Sequence, residues 1–225
     1  MKHMKSYAPR VLTVAVGVFI IGVAAGLFKL AAVGSDPFTA MNSGISAALE
    51  MQFGTLQLLV NAVILVLVFL FKRQFIGFGT IFNMVFVGYT ADFLIWLMGR
   101  LGIVFSGLPI RIGMLLVGAV LICAGAALYI SADMGMSPYD AAGYVVEVVT
   151  GGRLQFKFAR PILDVVCVGI ALLTGAQAGI QWEIIGFGTV FLTLCTGPLI
   201  QFFRTRWTDP LLRKLCPELA GAKAR

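Results

Sequence analysis

The sequence predicts an all-α polytopic membrane helical bundle with about six full spans and two short broken-helix segments. Three observations carry that expectation. Hydrophobic residues make up 60% of the 225 and charged residues only 12%, about half the charged share of a soluble domain, so lipid must cover most of the surface. Apolar runs of about twenty residues, the length that crosses a hydrocarbon core, recur along the chain. Finally, motifs occur twice in the same order. Gly34-Ser-Asp-Pro-Phe-Thr39 returns as Gly135-Met-Ser-Pro-Tyr-Asp140, Gly54-Thr-Leu-Gln57 as Gly152-Arg-Leu-Gln155, and Ile76-Gly-Phe-Gly-Thr80 as Ile185-Gly-Phe-Gly-Thr189. The offsets of 101, 98 and 109 residues read as an internal duplication within one membrane domain, with repeats at about 11–98 and 110–203.

The first apolar run, Val11–Val33, carries one charge, Lys29. It exceeds the roughly 7–15 apolar residues of a signal peptide, so it is expected to stay as a span. Gly17, Gly22 and Gly26 suit close helix packing. Gly34-Ser-Asp-Pro37 breaks the helix, and Pro37 suits the first turn of a new one. Phe38–Glu50 is short and mixed in polarity, so it either lies at the interface or dips in and is buried by protein. Phe53–Phe71 and Phe75–Met98 are the next spans, divided by Lys72-Arg73. Asp92 and Trp96 near the end of the second are expected at headgroup level. Arg100–Pro109 connects the halves.

The second half replays the first: a span at Ile110–Ala132, a break at Asp133–Tyr139, a short segment at Asp140–Val149, and spans at Leu154–Leu173 and Ile180–Phe203. The tail, 204–225, is basic, with a short amphipathic helix expected around Pro210–Leu215. His3, beside Lys2 and Lys5, reads as a solvated tail residue.

The net charge of +7 sits mostly in connections and ends, as a topology signal does; no polar face gathers it for nucleic acid. Basic residues flank the first and last spans, so both termini are expected in the cytoplasm of a bacterial inner membrane, with an even number of crossings. Two arrangements satisfy that. Six crossings leave the short segments re-entrant and the halves inverted; eight make the short segments cross and the halves parallel. Each puts two basic residues on the wrong side, and the length of the short segments favours six.

No cofactor, metal site or enzymatic constellation is expected, since the one histidine is in the tail and no Cys-x-x-Cys pair occurs. The candidate substrate or ion site is the pair of breaks: Gly34, Asp36 and Pro37 in the first, Gly135, Ser137, Pro138 and Asp140 in the second. Broken helices at matching positions of two halves point to a transporter's central site; the alternative role of Ser137 and Asp140 is to cap a helix. Asp164 lies about ten residues into its span, where an ionisable group is a functional candidate. Arg160 shares its face at i, i+4, so a structural ion pair is the competing role. The Gly-Phe-Gly-Thr pairs suit helix packing, with Thr80 and Thr189 bonding within the membrane.

This arrangement resembles the YczE/YyaS/YitT group of bacterial integral membrane proteins, within it the YczE-like branch. The resemblance rests on Gly135, Ser137, Pro138, Asp140, Gly152, Gly186, Gly188 and Thr189, and on Gly34, Pro37, Gly54, Gly77, Gly79 and Thr80. The first half departs from the motif, with Asp36 before its proline and Thr39 where the second has Asp140. The resemblance implies a multi-pass plasma-membrane protein with an expected transport role and no agreed substrate. The leading expectation is a transporter of an unidentified small molecule or ion, with its site between the repeats. The alternative is a non-transporting accessory protein that stabilises a partner complex. Beyond lipid, small-residue helix faces allow a homodimer without requiring one.

Overall fold

The computed structural model describes residues 2–216. The side chains of Lys2, His3 and Lys5, and the basic residues Lys223 and Arg225, lie outside what it describes. The helices are α1 Lys2–Ala31, α2 Pro37–Ala48, α3 Phe53–Lys72, α4 Phe78–Arg100, α5 Leu108–Ser131, α6 Pro138–Val149, α7 Phe156–Ala178, α8 Gln181–Ile184, α9 Phe187–Phe203 and α10 Asp209–Leu215. A 3₁₀ turn, Arg73–Phe75, precedes α4, and a π-helical turn, Arg204–Thr208, joins α9 to α10. Among the described residues, six stretches are long and apolar enough to cross a membrane: Tyr7–Ala31, Phe53–Phe75, Phe78–Arg100, Leu108–Ser131, Phe158–Ala178 and Gln181–Leu212. Their outward faces carry side chains such as Leu59, Val63, Leu70, Val165, Leu173 and Leu194, each at least half exposed, as a lipid-facing surface requires.

Glycines set the centre. A Cβ on Gly17 would lie 2.8 Å from the Gly125 carbonyl, and one on Gly125 2.8 Å from the Gly17 carbonyl, so α1 and α5 touch backbone to backbone. The Phe28 ring closes over Gly118, and Arg10 reaches the carbonyls of Ala132 and Asp133. As residue numbers rise along α1, their partners fall along α5, so the two helices are antiparallel. Against α4 the numbers rise together: Gly22 faces Thr90, and Gly26 faces Leu94. Helices α1 and α4 are therefore parallel, and only one long helix, α3, returns between them. The chain reverses once between α1 and α3, and α2 lies in that reversal without crossing. This is the six-span arrangement with oppositely running halves. With α2 crossing, α1 and α4 would run antiparallel.

Helix α2 is buried by protein rather than floating at the interface: nine of its 12 residues are buried, including Asn42 at 0% exposure. Helix α6 buries Tyr139 in one apolar cluster, with Phe38 and Met41, and Ala141 and Val145 in another, with Val68. The tail is less detached than its charge suggests. Helix α10 forms where a helix was expected, but Thr208, Leu212 and Cys216 are buried, and the Thr208 hydroxyl meets that of Ser131 on α5 at 2.8 Å.

Candidate functional site

Each break is built by a helix ending in a left-handed residue, Ala32 at φ 50° and Asp133 at φ 52°, followed by Gly34 and Gly135 at φ 104° and 116°. Only glycine takes these last two angles cheaply. The freed backbone groups are then satisfied by the opposite half. Gly79 N–H donates to the Met134 carbonyl at 2.8 Å and Met136 N–H to the Phe75 carbonyl at 2.9 Å. At the equivalent positions, Gly188 N–H donates to Val33 at 3.0 Å and Ser35 N–H to Ile184 at 3.2 Å. Each Gly-x-x-Pro break thus docks on the Gly-Phe-Gly-Thr stretch of the other half. The small residues there admit backbone rather than a neighbouring helix, which corrects the helix-packing expectation. Thr80 and Thr189 hold their own loops, accepting from Gly77 and Gly186 N–H at 3.1 and 3.3 Å.

Beyond the breaks, α2 and α6 start next to one another. Asp36 Oδ1 caps α2 by accepting from Thr39 N–H at 3.1 Å. Ser137 Oγ caps α6, accepting from Asp140 N–H at 3.2 Å and donating to Asp140 Oδ2 at 2.7 Å. The first turns meet through the stacked rings of Phe38 and Tyr139, with centroids 4.4 Å apart. Arg160 on α7 ties this junction together. Its guanidinium donates to Asp164 Oδ1 at 2.6 Å and lies 3.2 Å from Asp140 Oδ1. It also sits over the Tyr139 ring, 4.0 Å from the centroid. Tyr139 O–H donates to the same Asp164 oxygen at 2.7 Å.

A cavity of about 190 Å³ opens beside this cluster. Its wall takes residues from all six long helices and from both breaks. Of the residues singled out from sequence, Asp36, Ser137, Pro138, Asp140 and Arg160 line it. Asp164 stands behind Arg160. Gly34 and Gly135 face the docking contacts instead, and Pro37 is buried at the start of α2. Three carboxyl groups, Asp36, Asp140 and Asp164, surround one guanidinium, so the site has an acidic excess suited to a cation or a proton. Burial pushes the Asp36 carboxyl above the usual carboxylate range, opposed by the Thr39 hydrogen bonds and the Arg160 charge.

Sequence reasoning missed several members. Gln57 and Asn61, one turn apart on α3, line the cavity at 5% and 2% exposure, and their amide oxygens lack hydrogen-bond partners. Two amides at i, i+4 inside an apolar run were a usable signal. Asp92 also has a protein partner: its Oδ2 accepts from Gly54 N–H at 2.6 Å, fastening α3 to α4. Lys29 Nζ lies over the Phe53 ring, 3.9 Å from its centroid. A second cavity, of about 240 Å³, lies where α1 ends, lined by Lys29, Ser35, Ser43, Ser46 and Glu183 among others.

Residues 8–205 match the family described as "Family of unknown function (DUF6198)". Among curated proteins, the chain is 26% identical over 184 residues to an uncharacterized protein of Haemophilus influenzae, covering 82% of this chain and 78% of that one. It is 26% identical over 171 residues to the uncharacterized membrane protein YczE of Bacillus subtilis, covering 76% and 74%. No solved structure matches it.

Proposed function

We propose a transport function for this chain, which belongs to the DUF6198 family and is a polytopic membrane protein. It would carry a small molecule or ion through the cavity between two inverted repeats, without catalysing a reaction. The observation that carries this reading is the cavity itself, walled by both breaks and by all six long helices. A solid bundle would have suited an accessory protein; a cavity that gathers Asp36, Asp140 and Arg160 at the meeting point of two broken helices suits alternating access. The face where α1 begins gathers Arg10, Lys72, Arg73, Arg153 and Arg204, and the other face has Arg100 and Arg111, so we assign the first to the cytoplasm. The acidic excess around Arg160 favours a cationic or proton-coupled solute.

The test is electrical recording from reconstituted protein on a solid-supported membrane, challenged with a panel of inorganic cations, amines and amino acids. A transient current that is lost in Asp140→Asn supports the reading. Indifference of the intact protein to every solute and gradient contradicts it.

A further inference from the structure

Helix α2 is buried, yet one of its faces is polar. At 100° per residue, Asp36, Thr39, Ser43 and Ser46 fall within about 80° of one another. Thr39, Ser43 and Ser46 are 6%, 4% and 5% exposed, and Ser43 Oγ has no hydrogen-bond partner. Beside them Asn42, fully buried, leaves its Oδ1 unpaired. Buried hydroxyls and amides without partners are costly, and ordered water commonly satisfies them. The stripe also has a destination at each end: Asp36 and Thr39 line the central cavity, while Ser43 and Ser46 line the second. The opposite face, with Phe38, Met41 and Ile45, packs in the apolar core.

We infer that the polar face of α2 is a proton route, joining the second cavity to Asp36 at the edge of the central one. It rests on the transport reading and names the coupling ion. The second cavity opens beside Glu183 on the face where α1 ends. A proton entering there passes along water held by Ser46, Ser43 and Thr39. It is taken up on Asp36 Oδ2, the oxygen that the Thr39 cap leaves without a partner. The carboxylate becomes a neutral acid, and the charges facing it change balance: Arg160 and Asp164 on α7 and Asp140 on α6. Lys29 and Glu183 flank the far end of the route.

The test uses single cysteines in a cysteine-free chain, modified in intact cells and in inside-out vesicles by a small membrane-impermeant thiosulfonate. Ser46→Cys, Ser43→Cys and Thr39→Cys are expected to react at least about 100-fold faster than Met41→Cys on the apolar face. Equal rates at Ser43, Thr39 and Met41 overturn the route. Asn61→Cys, in the central wall, separates the two failures. If it reacts and the α2 positions do not, the proton route falls and the transport reading stands. If none reacts from either side, both fall. A second readout keeps the native cysteines: a hydrophobic carbodiimide adds to a protonated carboxyl, its carbon bonding the carboxyl oxygen and its nitrogen taking the proton. Peptide mass mapping is expected to find the adduct at Asp36, more at pH 6 than at pH 9, and none at that position in Asp36→Asn. An unlabelled Asp36 at pH 6 contradicts the proposal.

Discussion

Arg160 is the residue on which most of the site's electrostatics turn. It satisfies Asp140 and Asp164 together and stacks on Tyr139. Arg160→Gln leaves both carboxylates without their cation. The expected loss is about 2–3 kcal/mol, below the ~3–5 kcal/mol of a fully buried pair, because the cavity admits water. Asp164→Asn still accepts from Tyr139 and Arg160, so about 1 kcal/mol is expected. Thermal unfolding in detergent should rank the two in that order; the reverse order would mean that Arg160 is not the organising charge. The Arg160–Asp164 contact was legible because i, i+4 spacing fixes it locally. Its extension to Asp140 and Tyr139 was not, since those residues arrive from another helix. The partner of Asp92 was hidden for a related reason: nothing local reveals that Gly54 N–H waits at its carboxylate.

At the scale of elements, the breaks and short helices were legible from Gly, Pro and polarity, and their docking partners were not. Each break pairs with the other half, so no window of sequence contains both sides of the contact. Gly135 shows how tight the joint is. A Cβ there would lie 2.5 Å from Thr80 Oγ1 and 2.8 Å from Gly77 N, on a backbone at φ 116°. Gly135→Ala is expected to cost about 2 kcal/mol or more. Gly169→Ala, with open space around its Cβ in the middle of α7, is expected to be neutral or stabilising by up to about 1 kcal/mol. Melting temperatures of the two variants check the contrast, and equal shifts would show that the docking joint is slack. Asp36 serves two roles that separate by substitution. Asp36→Asn retains the cap of α2, whereas Asp36→Ala loses about 1 kcal/mol.

Across the whole molecule, length and apolarity foretold six spans, but charge alone left six and eight crossings open. Side-chain contacts decide between them. The antiparallel α1–α5 seam and the parallel α1–α4 seam both require α2 to stay on one side. Gly17→Leu should part α1 from α5 and lower stability by more than 2 kcal/mol, with Gly113→Leu, at an open position of α5, close to neutral. Chemical unfolding of the two variants reads that difference. Two oppositely running halves enclose a cavity around their breaks. Sided labelling of single cysteines at Glu50, Lys72 and Gly107, with Asn61 as the cavity probe, reads out that arrangement. Glu50 and Gly107 are expected to label from outside and Lys72 from the cytoplasm, with Asn61 reached by a small reagent. Labelling of Glu50 from the cytoplasm and Lys72 from outside would make the halves parallel and contradict it.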